Sequence, residues 1–131
     1  MGLPPLSGPD GRTSPPQVLI CDDEPHISAV IAHRLEDAGY IVREARDGQE
    51  GLMIAGTHSP VLIVTDLQMP RMSGLEMAMA LKATPGTGHI PVIMVTGRGH
   101  FVSDEDLART SIRTVLPKPF SARQLLSIVN E

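Results

Sequence analysis

From Gln17 onward the chain alternates short apolar runs with longer amphipathic stretches. The runs are VLIC at 18–21, IVREA at 41–45, VLIVT at 61–65, VIMVT at 92–96 and RTVL at 113–116. Three of them are apolar without a break, the pattern of strands covered on both faces in a parallel sheet. The gaps between them carry helix signals. After Asp22 and Asp23, Pro25 suits a first helical turn, Ile27, Val30, Ile31, Leu35 and Ala38 recur at helical spacing, and Gly39 supplies a stop. Four further starts pair a capping residue with a side chain three positions on: Asp47 with Glu50, Ser73 with Glu76, Ser103 with Asp106 and Ser121 with Gln124. Strand and helix thus alternate five times, and right-handed crossovers turn that order into a doubly wound α/β domain with a parallel sheet.

In such a domain chemistry gathers at the carboxyl ends of the strands. The first strand delivers Asp22 and Asp23 there, the third Asp66, the fourth Thr96, and Lys118 stands just beyond the fifth. Two unit negative charges about 5 Å apart repel by roughly 3 kcal/mol at an effective dielectric of 20, so three crowded carboxylates call for a cation, and one lysine does not suffice. A few hard oxygen ligands with positions left open for water and phosphate suit Mg²⁺ better than zinc or a caged calcium. The five histidines show no metal-ligand spacing.

Composition narrows the function classes. A chain of 131 residues with 41% apolar content has room for one domain with a real core. A formal charge of −4, with scattered Lys and Arg, argues against direct nucleic-acid binding. No apolar run approaches the roughly 20 residues of a membrane helix, and the start of the chain lacks the apolar core of a secretion signal, so the cytoplasm is the expected location. Cys21 is the single cysteine and is expected as a small buried strand residue. Residues 1–16, MGLPPLSGPDGRTSPP, are rich in Pro and Gly without hydrophobic period and read as a tail or linker, leaving 17–131 as the folded domain.

Four motifs in order resemble one family, the receiver domain of two-component response regulators. They are the acidic pair Asp22-Asp23, DLQMPRMSG led by Asp66, VTG with Thr96, and KPF at 118–120; thirty residues separate Asp66 from Thr96 and twenty-two separate Thr96 from Lys118, both typical of that family. The resemblance spans Gln17 to Glu131. It implies a flavodoxin- and CheY-like five-stranded sheet of order 2-1-3-4-5, with Asp66 as phosphoacceptor. It also implies Asp23 as a direct Mg²⁺ ligand, Asp22 acting through water, and the Gln68 backbone carbonyl as a further ligand. Lys118 would pair with phosphoryl oxygens, Thr96 would hydrogen-bond one of them, and a cis Lys118-Pro119 bond would aim the ammonium inward. Gln68 and Arg98 would flank the path of hydrolytic water and tune the lifetime of the phosphoryl group. The implied partners are a histidine kinase or histidine phosphotransfer protein and an unidentified downstream target, with a phosphorylation-dependent dimer through the fourth and fifth elements left open. The protein would assist its own phosphorylation and dephosphorylation without being an independent enzyme.

The sequence departs from the family at Val115, where an aromatic often reports the switch, and at Ser111-Ile112, where Gly-Ala is common. Rival readings fit less well. A phosphatase of the haloacid dehalogenase type needs an acid two residues after its nucleophile, where Gln68 stands, and a flavodoxin needs a hydroxyl-rich phosphate loop where Asp22-Asp23 would repel the ligand. A degenerate receiver acting as a phosphorylation-independent interaction module is the main alternative.

Overall fold

The computed structural model describes residues 15–97, 102–118 and 121–129. Five strands alternate with five helices: β1 (Gln17–Cys21), α1 (Pro25–Asp37), β2 (Ile41–Ala45), α2 (Gly48–His58), β3 (Leu62–Asp66), α3 (Gly74–Ala83), β4 (Val92–Thr96), α4 (Asp104–Ala108), β5 (Ile112–Pro117) and α5 (Ala122–Val129). The strands form one parallel sheet in the order β2-β1-β3-β4-β5. The first and third strands are therefore neighbours, and the chain reverses its direction of winding between them.

Burial explains why the central strands read as unbroken apolar runs. All five residues of β3 and of β4 are buried, because helices cover both faces of the sheet. On one face Val18, Ile20, Val64 and Val95 pack with Ile31 and Leu35 of α1 and Leu125 and Val129 of α5. On the other, Leu19, Cys21, Ile63 and Val92 pack with Ala55 of α2 and Met77 and Leu81 of α3. The edge strand β2 is more exposed, and Ile41 is tied in at its start by its N–H to the Pro16 carbonyl at 3.0 Å. A register shift between Val92 and Ile93 sets Ile93 opposite Thr114 instead of Arg113 at the β4–β5 pair.

The capping signals are met at α2, α3, α4 and α5, where Asp47, Ser73, Ser103 and Ser121 accept the N–H of the residue three positions on. At α1 Pro25 opens the helix as expected, but the apolar stripe needs one correction. The N-cap is Glu24, with no side-chain capping bond, while the Asp22 carboxylate accepts the Glu24 N–H at 2.9 Å. Val30, expected on the apolar stripe, is 62% exposed. The buried face of α1 runs through Ser28, Ile31, Ala32 and Leu35, and position 30 falls well outside that arc at about 100° per residue. Gly39 ends the helix as expected, at φ +102°, a left-handed conformation open to glycine.

Candidate functional site

The carboxyl ends of β1 and β3 lie side by side, since Cys21 pairs with Thr65. Each strand ends by releasing acidic residues into a loop. The loop after β1 is held to β2 by the Asp22 N–H, which donates to the Ala45 carbonyl at 2.9 Å. The loop after β3 is held to β4 by the Leu67 N–H on the Val95 carbonyl at 2.9 Å, and closed on itself by the Gly74 N–H on the Leu67 carbonyl at 2.8 Å. Gly74 is required at that point. A Cβ there would lie 2.1 Å from the Asp66 carbonyl oxygen, so the start of α3 reaches the end of β3 only without a side chain.

These anchors bring four carboxylates together. Asp22, Asp23, Glu24 and Asp66 each offer an oxygen, and these oxygens lie within 4.8 Å of one another. Asp22 and Asp66 are buried, whereas Asp23 and Glu24 are exposed. The Asp66 carboxylate is held at both oxygens: Lys118 Nζ donates to Oδ2 at 3.0 Å and the Gln68 N–H to Oδ1 at 3.3 Å. The same ammonium stands 4.0 Å from Asp22 Oδ2 and 3.9 Å from Glu24 Oε1. It reaches the site because the Lys118 N–H donates to the Thr96 carbonyl at 2.7 Å, extending the β4–β5 ladder past its last strand pair. Thr96 is itself buried, one residue beyond Val95, the strand partner of Asp66.

One ammonium facing four carboxylates leaves a strong local excess of negative charge. Burial raises the Asp22 carboxyl above its ordinary range, against the lowering effect of the Glu24 N–H and of Lys118; the charges of Asp66 and Glu24 push it further up. Burial works to lower the Lys118 ammonium, but the hydrogen bond and charge of Asp66, then Asp22 and Glu24, outweigh it and hold its pKa above the usual value. Among these causes, the charges of the neighbouring carboxylates raise both groups, and so favour added positive charge at this edge of the sheet. Hard carboxylate oxygens clustered at this separation, with no thiolate or imidazole among them, make a donor set that fits Mg²⁺.

Asp22, Asp66 and Lys118, singled out from the sequence, thus meet within ion-pairing range, Asp23 joins their carboxylate cluster, and Thr96 and Gln68 flank them. Glu24 was missed. Its only signal is its place directly after the acidic pair, where an exposed helix-capping acid is common without any ligand. Val115 is half-buried on β5 opposite Met94, and the Ser111 hydroxyl donates to the Gly88 carbonyl at 2.6 Å, tying the start of β5 to the turn before β4. Arg98 and the Lys118-Pro119 bond lie outside the described residues.

Comparison with known proteins agrees with the fold. A family model described as the response regulator receiver domain matches residues 18–130. The chain is 35% identical over 114 residues to the DNA-binding dual master transcriptional regulator RpaA of Synechocystis, covering 87% of this chain and 47% of that protein. It is 31% identical over 115 residues to the polar-differentiation response regulator DivK of Brucella anthropi, covering 88% of this chain and 94% of DivK. The chain spans under half the length of RpaA and of two further transcriptional or nitrogen-assimilation regulators that it matches. Among solved structures, the chemotaxis response regulator CheY4 of Vibrio cholerae superimposes with a TM-score of 0.80 at 30% identity, over 88% of this chain and 97% of CheY4. Among the described residues no helix is long and apolar enough to cross a membrane.

Proposed function

The chain belongs to the response regulator receiver family, and we propose that it serves a two-component phosphorelay by accepting a phosphoryl group on Asp66. The observation that carries this reading is the grip on one carboxylate: Lys118 at 3.0 Å on one oxygen, the Gln68 N–H at 3.3 Å on the other, and Asp22, Asp23 and Glu24 clustered beside them. A carboxylate held at both oxygens has a fixed plane, so its attacking lone pair has a fixed direction. Positioning of this kind, with neutralisation of charge, supplies most of the rate in phosphoryl transfer.

In the proposed step an Asp66 carboxylate oxygen forms a bond to phosphorus while the bond from phosphorus to the donor breaks, and its electron pair leaves with the donor. With a phosphohistidine donor the leaving group is the imidazole nitrogen; with acetyl phosphate it is acetate. Asp22, Asp23, Asp66 and the Gln68 carbonyl are the residues that would hold Mg²⁺, with Glu24 at the rim. The ion would supply charge neutralisation to the phosphoryl oxygens. Lys118 would leave its bond to Asp66 and pair with a phosphoryl oxygen, and the Thr96 hydroxyl would donate to another. The added group brings about −1.5 to −2 charges, which would draw Thr96 and Lys118 inward and move the segment after β4. With valine at 115, the change would reach the outer face through the backbone and apolar packing of β4 and β5.

On this reading the protein is a signalling module and not an enzyme acting on an outside substrate. Its partners would be a histidine kinase or phosphotransfer protein and a downstream protein, in the cytoplasm, with residues 17–131 as receiver and 1–16 as tail or linker. The test is intact mass after incubation with Mg²⁺ and acetyl phosphate, beside Asp66→Asn. Gain of one phosphoryl group by the wild type, lost without Mg²⁺ and absent in the variant, is the expected result. A folded, Mg²⁺-binding protein that gains nothing would turn the reading to a phosphorylation-independent interaction module.

A further inference from the structure

A second pair of charges is built into the loop that follows Asp66. Arg71 Nε and Nη2 lie 2.9 and 2.7 Å from Asp47 Oδ2, and the other oxygen of Asp47 accepts the Glu50 N–H at 2.9 Å as the cap of α2. Asp47 is buried while the Arg71 side chain is largely exposed, so the carboxylate is the fixed partner and the loop comes to it. Arg71 has φ +67°, the left-handed region that a non-glycine residue adopts only against a steric cost. Next to it the Met72 carbonyl accepts the Gly48 N–H at 3.1 Å, and a Cβ on Gly48 would lie 2.6 Å from that same oxygen. The corner between β2 and α2 therefore grips the turn at 71–72 through charge, backbone and close packing.

The same corner grips the opposite wall of the acidic site. Ala45, two residues before Asp47, receives the N–H of Asp22 at 2.9 Å. Residues 45–48 are thus a common support for two loops: the one that carries Asp22, Asp23 and Glu24, and the one that runs from Asp66 through Gln68 to Arg71.

We propose that Asp47 and Arg71 are positioning residues for the divalent cation: their ion pair holds the turn after Gln68 in its left-handed form and so sets the separation of the two loops that supply the oxygens. The proposal rests on the reading of the acidic cluster as a Mg²⁺ site. It explains an arginine where glycine or asparagine would adopt the backbone with less strain, because a long cationic side chain at this position reaches Asp47.

The direction of the effect separates positioning from a plain charge effect. Through space, deleting the Arg71 cation would tighten Mg²⁺ binding and deleting the Asp47 anion would weaken it. Positioning requires both deletions to weaken it. The experiment is calorimetric titration of Mg²⁺ into the full chain and its variants. Arg71→Gly removes the pair while relaxing the backbone, Arg71→Asn is a second variant that tolerates positive φ, Arg71→Lys keeps the charge, and Asp47→Asn keeps an N-cap of equal quality. The expected result is weakening of about tenfold in Arg71→Gly, Arg71→Asn and Asp47→Asn, the range typical of groups that support metal ligands. Arg71→Lys should stay near wild type, and Asp47→Asn with Arg71→Gly together should be no weaker than the weaker single variant. Affinity changes of opposite sign, or of less than about threefold in the folded variants, would overturn the proposal while leaving the phosphoacceptor reading standing. A folded wild type that binds no Mg²⁺ would overturn both.

Discussion

Gly74→Ala asks how tightly the end of β3 is held against α3. The new Cβ would lie 2.1 Å from the Asp66 carbonyl oxygen and 3.1 Å from Thr65 Oγ1, and the nearer obstacle is backbone. Relief needs a shift on the order of 1 Å, in a segment where the hydrogen bonds of Leu67 to Val95 and of Gly74 to Leu67, at 2.9 and 2.8 Å, leave little slack. Overpacking of this kind costs about 1–3 kcal/mol, and each strained hydrogen bond adds up to about 1 kcal/mol. Replacing glycine returns about 0.5–1 kcal/mol through the unfolded chain. The net loss is about 2–3 kcal/mol, a fall in Tm of roughly 10 °C for a domain of this size. Gly56→Ala is the matched control, since its Cβ would meet nothing within 4 Å on exposed α2, and it should stabilise by about 0.5–1 kcal/mol. Urea unfolding followed by far-UV circular dichroism suits a chain with no tryptophan and one tyrosine. A Gly74→Ala protein within about 0.5 kcal/mol of wild type, or a Gly56→Ala protein that loses as much, would refute the steric reasoning.

Two further outcomes follow from the charges and the core. Burial pushes the Cys21 thiol up to about 12, and its sulfur sits 3.8 Å from Met77 Sδ in the core. At pH 8 roughly one thiol in ten thousand is thiolate, so a disulfide reagent should modify Cys21 only as fast as the protein unfolds, and labelling of the folded protein at the rate of a free thiol would contradict the placement. The cap bond from Glu50 and the hydrogen bond from Arg71 hold the Asp47 carboxyl below its ordinary range. The folded form therefore binds this proton less readily than the unfolded chain; the stabilisation is complete above the ordinary carboxylate pKa of about 4 and is lost as pH falls through the lowered value. The Tm difference between wild type and Asp47→Asn should accordingly be largest near neutral pH and shrink toward pH 3, and a difference independent of pH would speak against the ion pair.

Much of this protein is legible along the chain because the determining interactions are local. Five strand cores and four capped helix starts depend on residues three or four positions apart, or on burial of a whole strand, and β2 and β4 occupy the residues of their apolar runs. The motif residues Asp22, Asp23, Asp66, Thr96 and Lys118 are legible as a set because strand ends on one sheet edge must converge. Tertiary packing decided the rest. Val30 and Ile31 are equally apolar neighbours, and the rotation of α1 on the sheet alone buries one and exposes the other. Glu24 joins the acidic cluster, and Lys118 lands 3.0 Å from Asp66, through the juxtaposition of loops far apart in sequence. Arg71 and Asp47, separated by twenty-four positions, read singly as a loop cation and a helix cap. Their pairing belongs to the corner where β2 turns into α2, which no periodicity records, because it exists only once the sheet has brought β2, β1 and β3 into line.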